Sequence, residues 1–164
     1  MTRCIISGVV VTYLLAVVQT ALGGRLAVRG VPPDLLFVWT VVIGLLSGRT
    51  AGALAGFGSG LLEGALTQAW IGALAISKTM TGFLAGVLAT KLFRENWAVP
   101  SLSAVVLTIA NEAIFLLVAW QDDWARAGRV VAVRVVYHAA LAPVFFAVAL
   151  RARRALVGRR EELA

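Results

Sequence analysis

Charge is what this chain has least of. Only 14% of its 164 residues are charged, against about 25% in an ordinary soluble domain. That shortage excludes a water-soluble domain of the usual kind. With 60% hydrophobic residues and a mean hydropathy of +0.91, the chain reads as an all-α, polytopic integral membrane protein. It has one cysteine and one histidine. Cys4 therefore forms no internal disulfide, and its expected place is that of a small apolar residue at a helix start. His138 has no Cys, His or carboxylate at metal-ligand spacing, so no metal site is expected. Also missing are a nucleophile with its base, a phosphate-cradling loop and the paired aspartates of membrane phosphotransferases, so the expectation is a protein that is not an enzyme and uses no cofactor. The net charge is +7, but no soluble basic face with aromatic platforms accompanies it, which argues against nucleic acid. The longest polar stretch is the tail after Leu150, which leaves no room for a soluble domain, so residues 1–164 are read as a single transmembrane domain.

Glycine is plentiful and spaced. Gly44, Gly48, Gly52, Gly56, Gly60 and Gly64 recur at every fourth position, and Gly82 and Gly86 repeat that spacing. In lipid, helices gain little from hydrophobicity when they meet, and small residues four apart open a groove for close approach. A four-residue repeat drifts by about 40° per step on a helix of 3.6 residues per turn. The stripe is therefore expected to wind round and serve more than one neighbour, as a packing face or a face for a partner helix.

Spans of about 20 apolar residues cross the hydrocarbon core. Six candidates fall near residues 4–22, 33–47, 51–66, 72–92, 100–120 and 130–150, followed by a cytoplasmic basic tail, 151–164. The first could be taken for a signal peptide, with Arg3 before it and small residues at Ala21-Leu22-Gly23, but its apolar run is too long. The short second and third spans are read as a hairpin turning at 47–50. Pro32-Pro33 fixes the start of the second, and Asp34 sits against the positive end of its helix. One continuous helix would be about 50 Å long and leave Arg49 in mid-membrane. With six spans, Arg3, Arg49, Lys91, Arg94, Arg151, Arg153, Arg154, Arg159 and Arg160 share one side, against Arg25, Arg29, Arg126 and Arg129 offset by Asp122 and Asp123. The excess places both termini in the cytoplasm. Trp70, Trp97, Trp120 and Trp124 fall near span ends, the headgroup level that such rings favour.

Ionisable groups at membrane depth cost on the order of 3 kcal/mol each, which makes them functional or structural suspects. Five occur: Glu63, Lys78, Glu112, Arg134 and His138, all in the outer half by this topology, with Asn111 beside Glu112. Arg134 and His138 are four apart and share a face that can look toward Glu112. One reading makes Glu63–Lys78 and Glu112–Arg134 interhelical pairs that fix register. The sharper reading makes the cluster line an outward-facing cavity or a groove for a partner helix. The arginines from Arg151 onward are expected to lie against anionic lipid.

The Pro33-Asp34 helix start, the run from Gly52 through Phe57, Gly60, Leu61 and Leu62 to Glu63, and the later Gly82-Phe83-Leu84-Ala85-Gly86 resemble MreD, the small membrane subunit of the bacterial rod-shape machinery. The likeness covers roughly residues 31–93, and a family member more usually has aspartate where Glu63 stands. The resemblance implies a six-transmembrane-helix bundle similar to the substrate-binding subunits of energy-coupling-factor transporters. It also implies a non-catalytic scaffold in the bacterial inner membrane that binds an MreC-like single-span protein. Through that partner it would act on a RodA-type glycosyltransferase, its transpeptidase and MreB filaments, supporting lateral peptidoglycan synthesis and cell shape. The alternative is a vitamin-binding subunit of an energy-coupling-factor transporter. For that role Gly8, Thr12, Ala16 and Thr20 give small residues in the first span without the expected alanine pair.

Overall fold

The computed structural model describes residues 2–91, 98–120 and 124–161, with side chains for 7–90, 98–120 and 125–154. Six helices follow one another: α1 (Thr2–Leu26), α2 (Leu35–Ser47), α3 (Arg49–Thr67), α4 (Ile71–Lys91), α5 (Ala98–Ala119) and α6 (Trp124–Glu161). Arg94, Trp97, Asp122, Asp123 and Glu162 lie outside the described residues, as do the side chains of Arg3, Cys4, Lys91, Trp124, Arg159, Arg160 and Glu161. Four helices contain a stretch long and apolar enough to cross a membrane, namely Ser7–Leu26, Ile71–Thr90, Ala98–Ala119 and Ala125–Arg154. The chain is thus an all-helical, multi-pass membrane protein. The fifth apolar helix, α2, has only 13 residues, and α3 is diluted by glycine.

Local chemistry sets the helix ends. Proline at 32 and 33 disfavours helix before Asp34, whose Oδ1 then accepts the Phe37 N–H at 2.8 Å as the N-cap of α2. The break between α2 and α3 is a single residue. Gly48 has φ +90°, and its N–H donates to Gly44 O at 2.9 Å. A residue with a Cβ is strained in that left-handed region. This corrects the reading of Gly48 as a packing glycine: no atom lies within 4 Å of where its Cβ would stand. The last helix is much longer than residues 130–150. It runs for 38 residues with Pro143 inside it, about 57 Å, because the supposed tail is rich in Ala, Leu and Arg, all strong helix formers.

Successive helices run antiparallel. Trp39 Nε1 donates to Thr12 Oγ1 across α1 and α2, Thr40 pairs with Ser59 across α2 and α3, and Thr81 with Asn111 across α4 and α5. The α1–α2 and α3–α4 turns, the end of α5 and the start of α6 therefore gather at one end, called here the polar end, and the start of α1 and the end of α6 at the other, the tail end. Short α2 is the hub. Only α2 packs against all the others, which form a ring round it in the order α1, α3, α4, α5, α6. Leu36, Phe37, Val38, Val41 and Val42 are at most 1% exposed. The ring is open: α1 packs on α2 and α3 alone, and along their length it does not pack on α6. Leu35, Trp39 and Ile43, four apart on α2, are its half-buried residues, and the terminal Ser47 is exposed. Trp39 donates to Thr12 of α1, so this stripe is the face that α1 covers only in part.

The tightest packing is the α3–α4 seam. A Cβ on Gly52 would strike Gly82 O, one on Gly56 the Lys78 carbonyl, one on Gly60 Leu74 O and one on Gly64 the Ile71 Cα. From the other helix, Gly82 meets Gly52 O and Gly86 meets Arg49. The expectation that the stripe serves more than one neighbour holds at Gly52, whose Cβ would meet the Gly44 Cα of α2 as well as Gly82 of α4, whereas Gly56, Gly60 and Gly64 face α4. Gly44 of α2 joins it against Ala85 and Gly82. These glycines are consumed inside the chain and are not free faces for a partner.

Candidate functional site

The 13 residues of α2 extend about 20 Å, short of a hydrocarbon core of about 30 Å. Its N-terminus therefore stops inside the bundle, and polar side chains from four helices fill the space beyond it. Lys78 of α4, 0% exposed, sits between two carboxylates, with Nζ 2.5 Å from Asp34 Oδ2 and 2.5 Å from Glu63 Oε2. Only the Asp34 contact is also aligned as a hydrogen bond, so Glu63 Oε2 is held by charge alone. Close by, Arg134 Nη1 of α6 lies 2.5 Å from Glu112 Oε1 of α5. Both pairs read from the sequence are present, and the structure adds Asp34 to the first.

The remaining site residues divide. Asn111 Oδ1 accepts from Thr81 Oγ1 at 3.2 Å and so ties α5 to α4 within the cluster. His138 does not join Glu112. Its ring stacks on Phe37 with centroids 4.3 Å apart, and its Nδ1 lies 2.8 Å from Thr108 Oγ1. Because the Thr108 hydroxyl donates to Ala104 O at 2.6 Å, Nδ1 is assigned the proton and donates to Thr108. Nε2 is left buried without a partner. Sharing a face with Arg134 was therefore not enough: α2 lies against that face one turn further along and takes the imidazole. Of the motif residues, Pro33 is buried, Leu62 is half-buried, and Phe57 and Leu61 point out of the bundle.

Above the two ion pairs lies a partly open cavity of about 500 Å³. Asp34, Asn111, Glu112 and Arg134 line it, together with Arg126 near its mouth and apolar walls from Trp70, Leu74 and Phe115. Arg134 gives Nη1 to Glu112, while its Nε is buried with no partner. An unmet buried donor costs about 1–3 kcal/mol. Trp70 and Trp120, 53% and 83% exposed, mark the same end of the bundle. Among the described residues no three His, Cys, Asp or Glu side chains come together as a metal site.

At the tail end the basic segment has a second use. Arg153 Nη1 donates to Leu46 O at 2.6 Å, meeting one of the carbonyls that the C-terminus of α2 leaves open. Arg151 and Arg154 stay exposed.

Asp34 as a partner of Lys78, and Trp70, Phe115 and Arg126 at the cavity, were missed in the sequence. A signal for Asp34 existed. An N-cap carboxylate on so short an apolar helix must lie well inside the bilayer, where it needs a cation. Fold and site together define a multi-pass helical membrane protein with a charge-compensated interior and a polar cavity at one end. No known family, no curated protein and no solved structure matches the chain.

Proposed function

We propose that this protein is a non-catalytic membrane scaffold of the MreD kind, which holds the span of an MreC-like partner and thereby supports lateral peptidoglycan synthesis and cell shape. In this reading all six helices cross the bacterial inner membrane, in a bundle akin to that of energy-coupling-factor substrate-binding subunits. Both termini are cytoplasmic, following the arginine excess on their side, and the polar end is extracytoplasmic. The helix that extends α6 lies against anionic lipid through Arg151 and Arg154.

One observation carries the reading: the ring round α2 is open between α1 and α6. The flanking helices expose Val10, Leu14, Val17 and Val18 on α1 and Val136, Val144 and Val148 on α6. Such a gap has the length of a membrane span and apolar walls, and it suits one further helix. Tyr137 Oη donates to Leu26 O at 2.5 Å and bridges α6 to the end of α1 at the polar end. The charged side chains, by contrast, are engaged with one another, which suits a part that fixes geometry.

The test is purification of the tagged protein from its native membrane in mild detergent, with identification of what accompanies it. Recovery of a single-span protein with an extracytoplasmic domain, or of cell-wall synthases, is the expected result. Recovery of an ATPase pair would overturn the scaffold reading in favour of the transporter subunit.

A further inference from the structure

We infer that the cavity at the polar end binds a small zwitterion, a molecule carrying an ammonium group and an acidic oxygen group a few ångströms apart, with an apolar part attached. The inference goes beyond the scaffold reading and does not depend on it. The cavity is walled by α2, α4, α5, α6 and the residue preceding α4, whereas the partner gap lies between α1 and α6.

Charge balance is the first argument. The ionisable groups lining the cavity are Asp34 and Glu112 against Arg126 and Arg134. Behind them Lys78 is ion-paired with both Asp34 and Glu63, so with Glu63 and Lys78 included the acids and bases still balance. A wall with equal numbers of both signs gives no net attraction to a simple anion or cation, and at low dielectric it penalises an ion that arrives without its counter-charge. A solute that carries both charges meets both.

Unmet hydrogen-bonding capacity is the second. Glu112, 6% exposed, uses Oε1 on Arg134, and its second oxygen has no hydrogen-bond partner among the described residues. Arg134 lines the same cavity and gives Glu112 only Nη1, while its unpartnered Nε is buried away from the open space. Asn111 uses its Oδ1 on Thr81, so its amide protons remain to donate. An ammonium beside Glu112 and an acidic oxygen beside Arg134 and Asn111 would meet these groups together.

Shape is the third. About 500 Å³ lies within the range of small-molecule sites, and the walls are half apolar. Trp70 and Phe115 offer aromatic surface of the kind that attracts an ammonium group. A free amino acid with an apolar side chain has this chemistry. So does the phosphoethanolamine headgroup of a lipid, whose chains would leave through the open side.

The experiment is the melting temperature of the full-length protein in a non-ionic detergent, with added L-leucine, N-acetyl-leucine or leucinamide, and in nanodiscs of phosphatidylethanolamine against phosphatidylglycerol. Ligand that binds only the folded state raises the melting temperature. A rise of several degrees with leucine, and none with its anionic and cationic relatives, identifies a free zwitterion. A rise in phosphatidylethanolamine alone identifies a lipid headgroup. Leu116 lines the cavity, and Leu116→Trp fills it without touching a charge, so it should keep the unliganded melting temperature while losing the rise. Glu112→Gln should lose the rise as well. No rise with either zwitterion, equal rises with the singly charged relatives, or a rise that survives Leu116→Trp would overturn the inference.

Discussion

The two flanks of α2 are built to opposite rules. On one side α3 and α4 meet backbone to backbone along the seam that runs from Gly52 to Gly64, with no room for a single added carbon. On the other, α1 touches the bundle through an inward stripe with Ala16 at its centre and leaves Val9, Val10, Tyr13, Leu14, Val17 and Val18 exposed. Hydrophobicity does not separate them, since α1 is if anything the more apolar. In lipid what closes a helix pair is small residues at the right spacing, and what leaves a helix open to lipid or a partner is bulky apolar ones. The polar pairs are placed accordingly. They tie α2, α3 and α4 to one another and α5 to α6, and none of the ion pairs reaches α1.

Four tests grade that contrast. The largest loss is expected from Gly56→Leu, which drives a side chain into the Lys78 carbonyl. On the order of 3 kcal/mol or more should be lost, seen as collapse of the monodisperse peak in size-exclusion chromatography. Lys78→Met comes next, because it leaves Asp34 and Glu63 buried with no cation. Breaking such a group from one side costs about 3–5 kcal/mol, and adding Asp34→Asn and Glu63→Gln to the same chain should recover most of the melting temperature. For the second pair, whose arginine is partly exposed, Glu112→Gln and Arg134→Gln should each destabilise less. Together they should fall short of additivity by about 0.5–3 kcal/mol, and strict additivity in thermal unfolding would show the two groups uncoupled. The smallest effect belongs to Gly58→Ala. Gly58 is in the same helix as Gly56 but is exposed, with nothing within 4 Å of its Cβ position. Here a gain of up to about 1 kcal/mol is expected from helix propensity, read as a small rise in melting temperature.

Much of this architecture is legible in the residues. The bounds of α2 to α5 lie within two residues of the spans read from apolar runs, because Pro33, Gly48 and the polar residues near 68 and 95 interrupt those runs. The two ion pairs follow from charge alone, since an acid and a base at membrane depth have few alternatives to each other. The orientation of a side chain round its helix is harder. His138 was set beside Glu112 by its spacing from Arg134, yet α2 covers that stretch of α6 and Phe37 takes the ring. The positive end of α2 explains Asp34 fully in the sequence, and its second oxygen on Lys78 follows only once α2 is seen to end inside the bundle. The length of α6 was hidden by polarity: Arg151 onward ends an apolar span without ending a helix. Gly48 carries the spacing of the packing glycines but owes its place to φ. Spacing alone does not distinguish the two uses.

The decisive measurement is photo-crosslinking in the native membrane, with a photoreactive side chain at Ile43 on the half-buried stripe of α2 beside α1 and, as the control, at Phe57 on the outer face of α3. If the gap between α1 and α6 receives a partner span, Ile43 yields one dominant adduct, a single-span protein with an extracytoplasmic domain, and Phe57 does not. An Ile43 adduct with lipid alone, or the same protein adduct at both positions, would contradict a partner held in that gap.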